Sequence, residues 1–252
     1  LTAVTREVPT SISRCELTHL ARAPIDYARA VTQHEAYEAA LREAGCTIER
    51  VPATPDLPDS VFVEDAAVIV DEVAIVTRPG APSRRGETPS VAGALAQYRA
   101  LRFIEDPGTL DGGDVLRVGR RVFVGRSSRT NADAVTQLRA LLGPFDYTVE
   151  AVETTGCLHL KSAVTPLAGD WLLINTAWID SAPFRRFRLT EVDPAEPFAA
   201  NVLRVGDTII CARAWARTRA RIDAAGLRTV TVDVSELAKA EAGVTCCSLI
   251  LS

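Results

Sequence analysis

One layout recurs along this chain: a polar residue, an apolar strand, a tight turn, a second strand, then a basic loop that opens a helix. It reads first as Glu64-Asp65-Ala66-Ala67-Val68-Ile69-Val70, then Val73-Ala74-Ile75-Val76-Thr77, then Ser83-Arg84-Arg85. It reads again as Gly113-Asp114-Val115-Leu116-Arg117-Val118, a turn at Gly119, Val122-Phe123-Val124-Gly125, then Ser128-Arg129-Thr130. A third copy runs from Ala200 to Val205, through a Gly206-Asp207 turn and Thr208-Ile209-Ile210-Cys211, to Arg217-Thr218. A weaker copy starts at His159-Leu160-Lys161-Ser162 and continues through Trp171-Leu172-Leu173-Ile174. Self-similarity at a spacing of about 40–50 residues implies repeated supersecondary units around one core.

Helices follow the basic loops. Thr130 or Asn131 can cap a helix carrying Val135, Leu138 and Leu142, which Gly143-Pro144 stops. Thr218 opens another, with Ile222 and Ala225 on one face. Nearer the start, Tyr27, Ala30, Val31, His34, Tyr37 and Leu41 share a helical face between Asp26 and Gly45, and a strand Thr47–Val51 follows. The last strand, Cys247–Leu251, has no hairpin partner after it, and a first strand around Ile12–Leu17 has none before it. Joining the two ends closes a ring and removes exposed sheet edges.

With 252 residues, 47% of them hydrophobic, the chain can fill such a core, and a single domain over 1–252 is expected. The 28 basic residues against 32 acidic ones leave a charge of −4, which excludes a nucleic-acid partner of the basic-patch type. No apolar stretch of membrane-spanning length and no signal-peptide pattern is present, so no membrane partner and a cytoplasmic location are expected. Methionine is absent, which implies a processed or trimmed start. The six cysteines contain no Cys-x-x-Cys pair and no structural zinc spacing, so reduced thiols are expected, one of them free to be a nucleophile.

Asp59 precedes an apolar run that Glu64 and Asp65 interrupt. Carboxylates are rarely buried unless paired, so acids in mid-strand call for a cationic partner, or else mark a solvated loop-to-strand junction. Cys246 lies at a strand mouth after Gly243, where a thiol can meet a ligand, although buried filler is the usual fate of cysteine. Among three histidines, His34 sits on the apolar helix face and His19 on a loop. His159 lies between Leu158 and Leu160, so on a half-exposed strand it points with Lys161 away from the leucines. Asp111-Gly112-Gly113-Asp114 also begins a strand, and its glycines allow close backbone approach. Arg84 and Arg129 occupy matching repeat positions, and arginine suits a bidentate hold on a carboxylate.

Taken together, Phe62-Val63-Glu64-Asp65, Thr77-Arg78-Pro79-Gly80-Ala81, Ser83-Arg84-Arg85, Asp111-Gly112-Gly113-Asp114, Ser128-Arg129-Thr130-Asn131, Leu158-His159-Leu160-Lys161-Ser162 and Thr245-Cys246-Cys247-Ser248 resemble the dimethylarginine dimethylaminohydrolase family. The motifs run in the family's order from about Leu20 to the C-terminus, and seven in register are highly specific. The resemblance implies the fold of the guanidine-modifying superfamily, a five-module α/β propeller (pentein) with pseudo-fivefold symmetry, closed by the N- and C-terminal strands. It implies Cys246 as nucleophile, His159 as general acid and base, and Asp111 as the acid supporting the histidine, where some members carry Glu. Asp65, assisted by Glu64, would grip the guanidinium, while Asp59, Arg84 and Arg129 hold the amino-acid end. Leu20 and Ala240 would offer backbone carbonyls to the substrate amine, and Glu241 stands where many relatives have Asp.

The implied reaction converts an N-omega-methylated arginine, the expected small-molecule partner, to citrulline through a covalent thiouronium on Cys246. It requires no cofactor, and thiolate plus imidazole could capture zinc as an inhibitor at Cys246. The protein is expected as a monomer or homodimer. An arginine deiminase would be longer and carry His-x-Asp at the catalytic histidine, where this chain reads His159-Leu160-Lys161. A non-catalytic binding propeller would lack the cysteine or the histidine, and both are present.

Overall fold

The computed structural model describes residues 1–252. The first sheet joins both ends of the chain. Strand β1 (Thr2–Arg6) pairs in parallel with β2 (Thr47–Val51) across helix α1 (Tyr27–Glu43), and antiparallel with the terminal strand at Leu249–Leu251. Asp26 caps α1 by accepting the N–H of Arg29 at 3.1 Å, and Ala30, His34, Tyr37 and Leu41 form its buried face. Tyr27, expected on that face, is exposed, and Glu38 is buried instead, held by Thr5 and Arg50.

Each later module repeats one topology. Strand β3 (Ala67–Ile69) turns back onto β4 (Val73–Val76), and helix α2 (Thr88–Leu95) crosses over to β5 (Ala100–Phe103), which lies parallel to β4. The next module has β6 (Val115–Val118), β7 (Arg121–Arg126), α3 (Ala132–Leu142) and β8 (Thr148–Glu153). A short helix α4 (Leu160–Ala163) introduces β9 (Val164–Ala168), β10 (Trp171–Ile174) and β11 (Arg188–Glu191), a module whose crossover holds only a 3-10 turn at Ala182–Phe184. The last full module has β12 (Leu203–Val205), β13 (Thr208–Ala212), α5 (Ala216–Ala224) and β14 (Arg228–Val232), after which α6 (Ser235–Ala238) leads to β15 (Leu249–Leu251). The result is five three-stranded mixed sheets, a five-module α/β propeller closed by its own termini. Middle strands such as β4, β10 and β13 are buried along their length, and residues of β3, β6, β9, β12 and β15 line a shared axial cavity of about 180 Å³.

Five local expectations are corrected. The first strand is Thr2–Arg6 rather than Ile12–Leu17: beyond Pro9 the chain turns, and Ile12 and Cys15 are buried at the three-residue spacing of a 3-10 turn. Glu64 and Asp65 stand on the 3-10 turn Val63–Ala66 that precedes β3, not inside a strand. His159 occupies the N-cap position of α4 and is buried, so it does not lie on a half-exposed strand. Cys246 and Cys247 sit in a turn, and β15 begins only at Leu249. Helix α5 likewise starts at Ala216, before Thr218, because the Glu196 carboxylate accepts the N–H groups of Arg217 and Thr218 and caps the helix from another segment.

Candidate active site

Residues scattered from position 16 to position 246 line one narrow pocket. Cys246, His159, Asp59, Asp65, Arg84 and Arg129 form its walls, with Ala240 and Glu241 at the side. They arrive there because the turns before β3, β6, β9 and β15 occupy the same end of their modules. Asp111 lies behind this wall, fully buried.

The imidazole of His159 is held between two carboxylates. Its Nε2 is 3.1 Å from Asp111 Oδ2 and its Nδ1 is 3.8 Å from Asp65 Oδ1. Asp111 is itself fixed, since its Oδ1 accepts the N–H of Gly80 at 2.9 Å. Burial opposes a charge on His159, but Asp65, Asp111 and Asp114 override it and raise its pKa to about 9. Asp65 shows the reciprocal effect: burial would raise its pKa, yet His159, Arg84 and the Gly113 N–H bring it down to about 2. The pair is therefore imidazolium and carboxylate at neutral pH. Gly113 makes this contact possible, because a Cβ there would stand 2.5 Å from His159 Nδ1.

Cys246 is half-buried and its sulfur accepts the N–H of Gly243 at 3.3 Å. Burial, then the negative charges of Glu64 and Asp65, push the thiol up to about 12. The sulfur is thus protonated until a cation enters. Cys247, its neighbour, is buried in the core beneath α1.

The cationic residues differ in how free they are. Arg84 donates from Nη1 to Asp65 Oδ2 at 2.6 Å and lays its Nε and Nη2 along the two carboxylate oxygens of Glu87 at 3.1 and 2.9 Å. Arg129 is less committed: its Nη2 donates to Thr18 Oγ1 at 3.1 Å, and its Nη1 lies 3.8 Å from Asp111 Oδ2. Asp59 accepts the N–H of Glu16 at 3.0 Å, and burial raises its pKa despite Arg84. Arg129 and Asp59 thereby hold the segment around Glu16–Leu20 over the pocket. Glu241 completes the attachment: its carboxylate accepts the N–H groups of Thr18, His19 and Leu20, and its own backbone is left-handed at φ 59°.

Two expected residues are placed apart from the pocket. The Glu64 carboxylate faces the axial cavity, where it pairs with Lys161 Nζ at 2.6 Å and accepts from Thr245 Oγ1 at 2.6 Å. Leu20 is exposed and lines a neighbouring apolar cavity, as does Glu241, which borders both. The structure adds groups that the sequence reading left without a role. Asp114 accepts the Leu160 N–H at 2.9 Å and hydroxyls from Ser127 and Thr130, so it fixes the start of α4 and with it His159. Its sequence signal was the second acid of Asp111-Gly112-Gly113-Asp114. Lys161, two residues after His159, was visible only as a charge on the same face. Asp65, Asp111 and His159 bring ligand-type atoms within 4.8 Å of one another, yet each is already engaged by protein donors or by its neighbour.

The arrangement offers a thiol, an imidazolium with a supporting acid, and a carboxylate able to receive a planar cation. The family model for eukaryotic N,N dimethylarginine dimethylhydrolase matches residues 21–250. The N(G),N(G)-dimethylarginine dimethylaminohydrolase of Streptomyces coelicolor is 42% identical over 234 residues, covering 92% of this chain and 90% of that one. Its counterpart from Pseudomonas aeruginosa is 37% identical over 226 residues, 89% of each. A solved structure of the Pseudomonas aeruginosa protein, a cysteine-to-serine mutant complexed with citrulline, superposes at a TM-score of 0.94 with 34% identity over 98% of each chain. With the family match spanning nearly all its length and the fold shared throughout, this chain belongs to the dimethylarginine dimethylaminohydrolase family.

Proposed function

We propose that this protein hydrolyses N-omega-methylated arginines to citrulline, releasing methylamine from monomethylarginine or dimethylamine from asymmetric dimethylarginine. The observation that carries this reading is a single pocket lined by Cys246, His159, Asp65 and Arg129, with Asp111 behind the imidazole. The citrulline complex of the Pseudomonas aeruginosa relative supports it.

A guanidinium is a poor electrophile until its cation is oriented and its leaving nitrogen can be protonated. Asp65, ionised at neutral pH, receives the planar cation. The incoming positive charge offsets the acids that hold the Cys246 thiol protonated, so the substrate itself favours loss of the thiol proton to solvent and a thiolate. Sulfur then adds to the guanidinium carbon, and His159, carrying its proton, delivers it to the departing amine. The C–N bond breaks and an S-alkylthiouronium remains on Cys246. Water, deprotonated by His159, adds to the same carbon; the C–S bond breaks with sulfur leaving as thiolate, the adduct's hydroxyl proton passes to that sulfur as the C=O of citrulline forms, and the Cys246 thiol and protonated His159 are restored. Arg129 suits the substrate carboxylate, and the carbonyls of Leu20 and Ala240, with Asp59, suit its amine. Glu64 serves Lys161 and Glu241 serves the segment at 18–20, so we assign both a supporting role around the substrate.

The test is a product assay on paired substrates. Purified protein should form citrulline from monomethylarginine and asymmetric dimethylarginine and little from arginine. The opposite preference would make it a deiminase, and no citrulline from any of them would favour a binding propeller.

A further inference from the structure

We propose that Glu87 is a positioning residue for this reaction: it fixes Arg84 so that one nitrogen alone reaches Asp65, which keeps Asp65 open to the substrate guanidinium. The proposal deepens the methylarginine reading and rests on it.

Glu87 ends the 3-10 turn Pro82–Glu87 and is 2% exposed. Its carboxylate lies side-on to Arg84, with Oε1 on Nε at 3.1 Å and Oε2 on Nη2 at 2.9 Å. The other Nη2 direction faces the carbonyls of Asp59 and Phe62, both at 3.4 Å. Four of the five N–H groups of Arg84 are thereby directed, three of them to Glu87 and the carbonyls of Asp59 and Phe62 and one, from Nη1, to Asp65 Oδ2 at 2.6 Å. Asp65 keeps Oδ1 for Gly113 and His159, and its Oδ2 carries a single arginine hydrogen. A carboxylate oxygen held by one donor retains room to accept a second.

Remove Glu87 and the balance changes. A guanidinium is a planar fork that matches a carboxylate through two parallel bonds. Freed from Glu87, the fork of Arg84 can turn to take both Asp65 oxygens and compete with the substrate's own guanidinium for the same partner. Arg6 strengthens the case from the far side. It is fully buried, its Nη2 donates to the Glu87 carbonyl at 3.3 Å, and its Nε and Nη1 have no hydrogen-bond partner, so its charge is balanced chiefly by the Glu87 carboxylate. The charged groups around Glu87 are thus Arg84, Arg6, Asp59 and Asp65. Burial raises the Glu87 carboxyl to about 7 against the pull of Arg84, so the clamp weakens as the medium turns acidic.

The test compares the wild-type protein with Glu87→Gln, which keeps the shape and removes the charge. Citrulline formation from monomethylarginine is followed from pH 5.5 to 8.5, with thermal unfolding as a check on the fold. The same substitution in a Cys246→Ser background is titrated with monomethylarginine by calorimetry. KM and Kd should weaken about ten-fold, the scale of one charge-assisted hydrogen bond, while kcat changes little. Wild-type KM should rise as pH falls through about 7, and that rise should vanish in Glu87→Gln. A folded Glu87→Gln with unchanged KM and Kd overturns the proposal. So does a fall in kcat with KM and its pH dependence unmoved, which a packing role would produce. Tight, Glu87-dependent binding without turnover in the wild type would retain the clamp and reject hydrolysis.

Discussion

The backbone N–H of Glu64 donates to the carbonyl oxygen of Cys246 at 3.1 Å. This bond joins the turn before β3 to the turn before β15, two segments about 180 residues apart in the chain. A second bond, from Thr245 Oγ1 to Glu64 Oε2 at 2.6 Å, locks the same junction. The position of the sulfur is therefore set by ring closure, and any change that loosens the terminal sheet loosens the nucleophile.

The junction separates two adjacent cysteines. Cys246 lines the pocket, whereas Cys247 is 1% exposed in the core beneath α1. Cys246→Ser should abolish citrulline formation, and Cys247→Ser should retain most of it at some cost in stability. Steady-state assays with unfolding curves on both variants decide the matter. Equal loss of activity from both, with both folded, would reject Cys246 as the nucleophile.

The modules were legible because their strands are apolar runs with tight glycine turns, and the periodicity of α1 and α3 stands out in the sequence. The turns that carry chemistry were not. Glu64 and Asp65 read as mid-strand because the residues around them are strand formers, yet their carboxylates are satisfied by Lys161, Thr245, Arg84 and Gly113, all distant in sequence. His159 alternates with leucines as a strand would, but Asp114 caps a helix at Leu160 and removes it from any strand. Asp111, Cys246 and Arg129 were found through motif order, which carries spacing along the chain but not the partners each group takes. Glu87 and Asp114 escaped a role for that reason: an acid beside an arginine or a glycine looks like any surface acid until its partners are brought to it.

Arg129 is the arginine of the pocket with most donors to spare, since Arg84 directs four of its five at Asp65, Glu87 and backbone carbonyls. Arg129→Ala should weaken monomethylarginine binding by roughly 2–5 kcal/mol, the range for removing one partner of a desolvated charge pair. The loss should fall mainly on KM and be absent for a ligand lacking the α-carboxylate, such as methylguanidine. An unchanged KM for the amino acid would count against the clamp.

Glu241 ties down the segment at Thr18, His19 and Leu20 through three backbone N–H groups. Glu241→Ala should release that segment, speed hydrogen exchange at those amides and raise KM, while Tm changes little because the contacts lie at the exposed rim. Glu241→Asp, one methylene shorter, should restore part of the protection. Amide exchange at 18–20 that is unaffected by Glu241→Ala would remove this role.

The His159 pair also predicts how stability follows pH. The folded pKa of His159 is raised from 6.5 to about 9, so the stabilisation from its proton is fully present below pH 6.5 and lost as pH rises through about 9. Asp65, lowered from 3.8 to about 2, contributes stability above pH 3.8 that is lost as pH falls through about 2. The attraction between His159 and Asp65 contributes to both shifts, with Asp111 and Asp114 adding to the first and Arg84 and Gly113 to the second. Compared with His159→Gln, the wild type should be more stable by roughly 1–3 kcal/mol near pH 6, and the gap should narrow steadily toward pH 9. Urea unfolding of the two proteins across that range reads the difference directly. A gap that stays constant with pH would mean that folding leaves His159 near its ordinary pKa of 6.5 and mostly neutral at pH 8, and the amine would then have to take its proton from another group there.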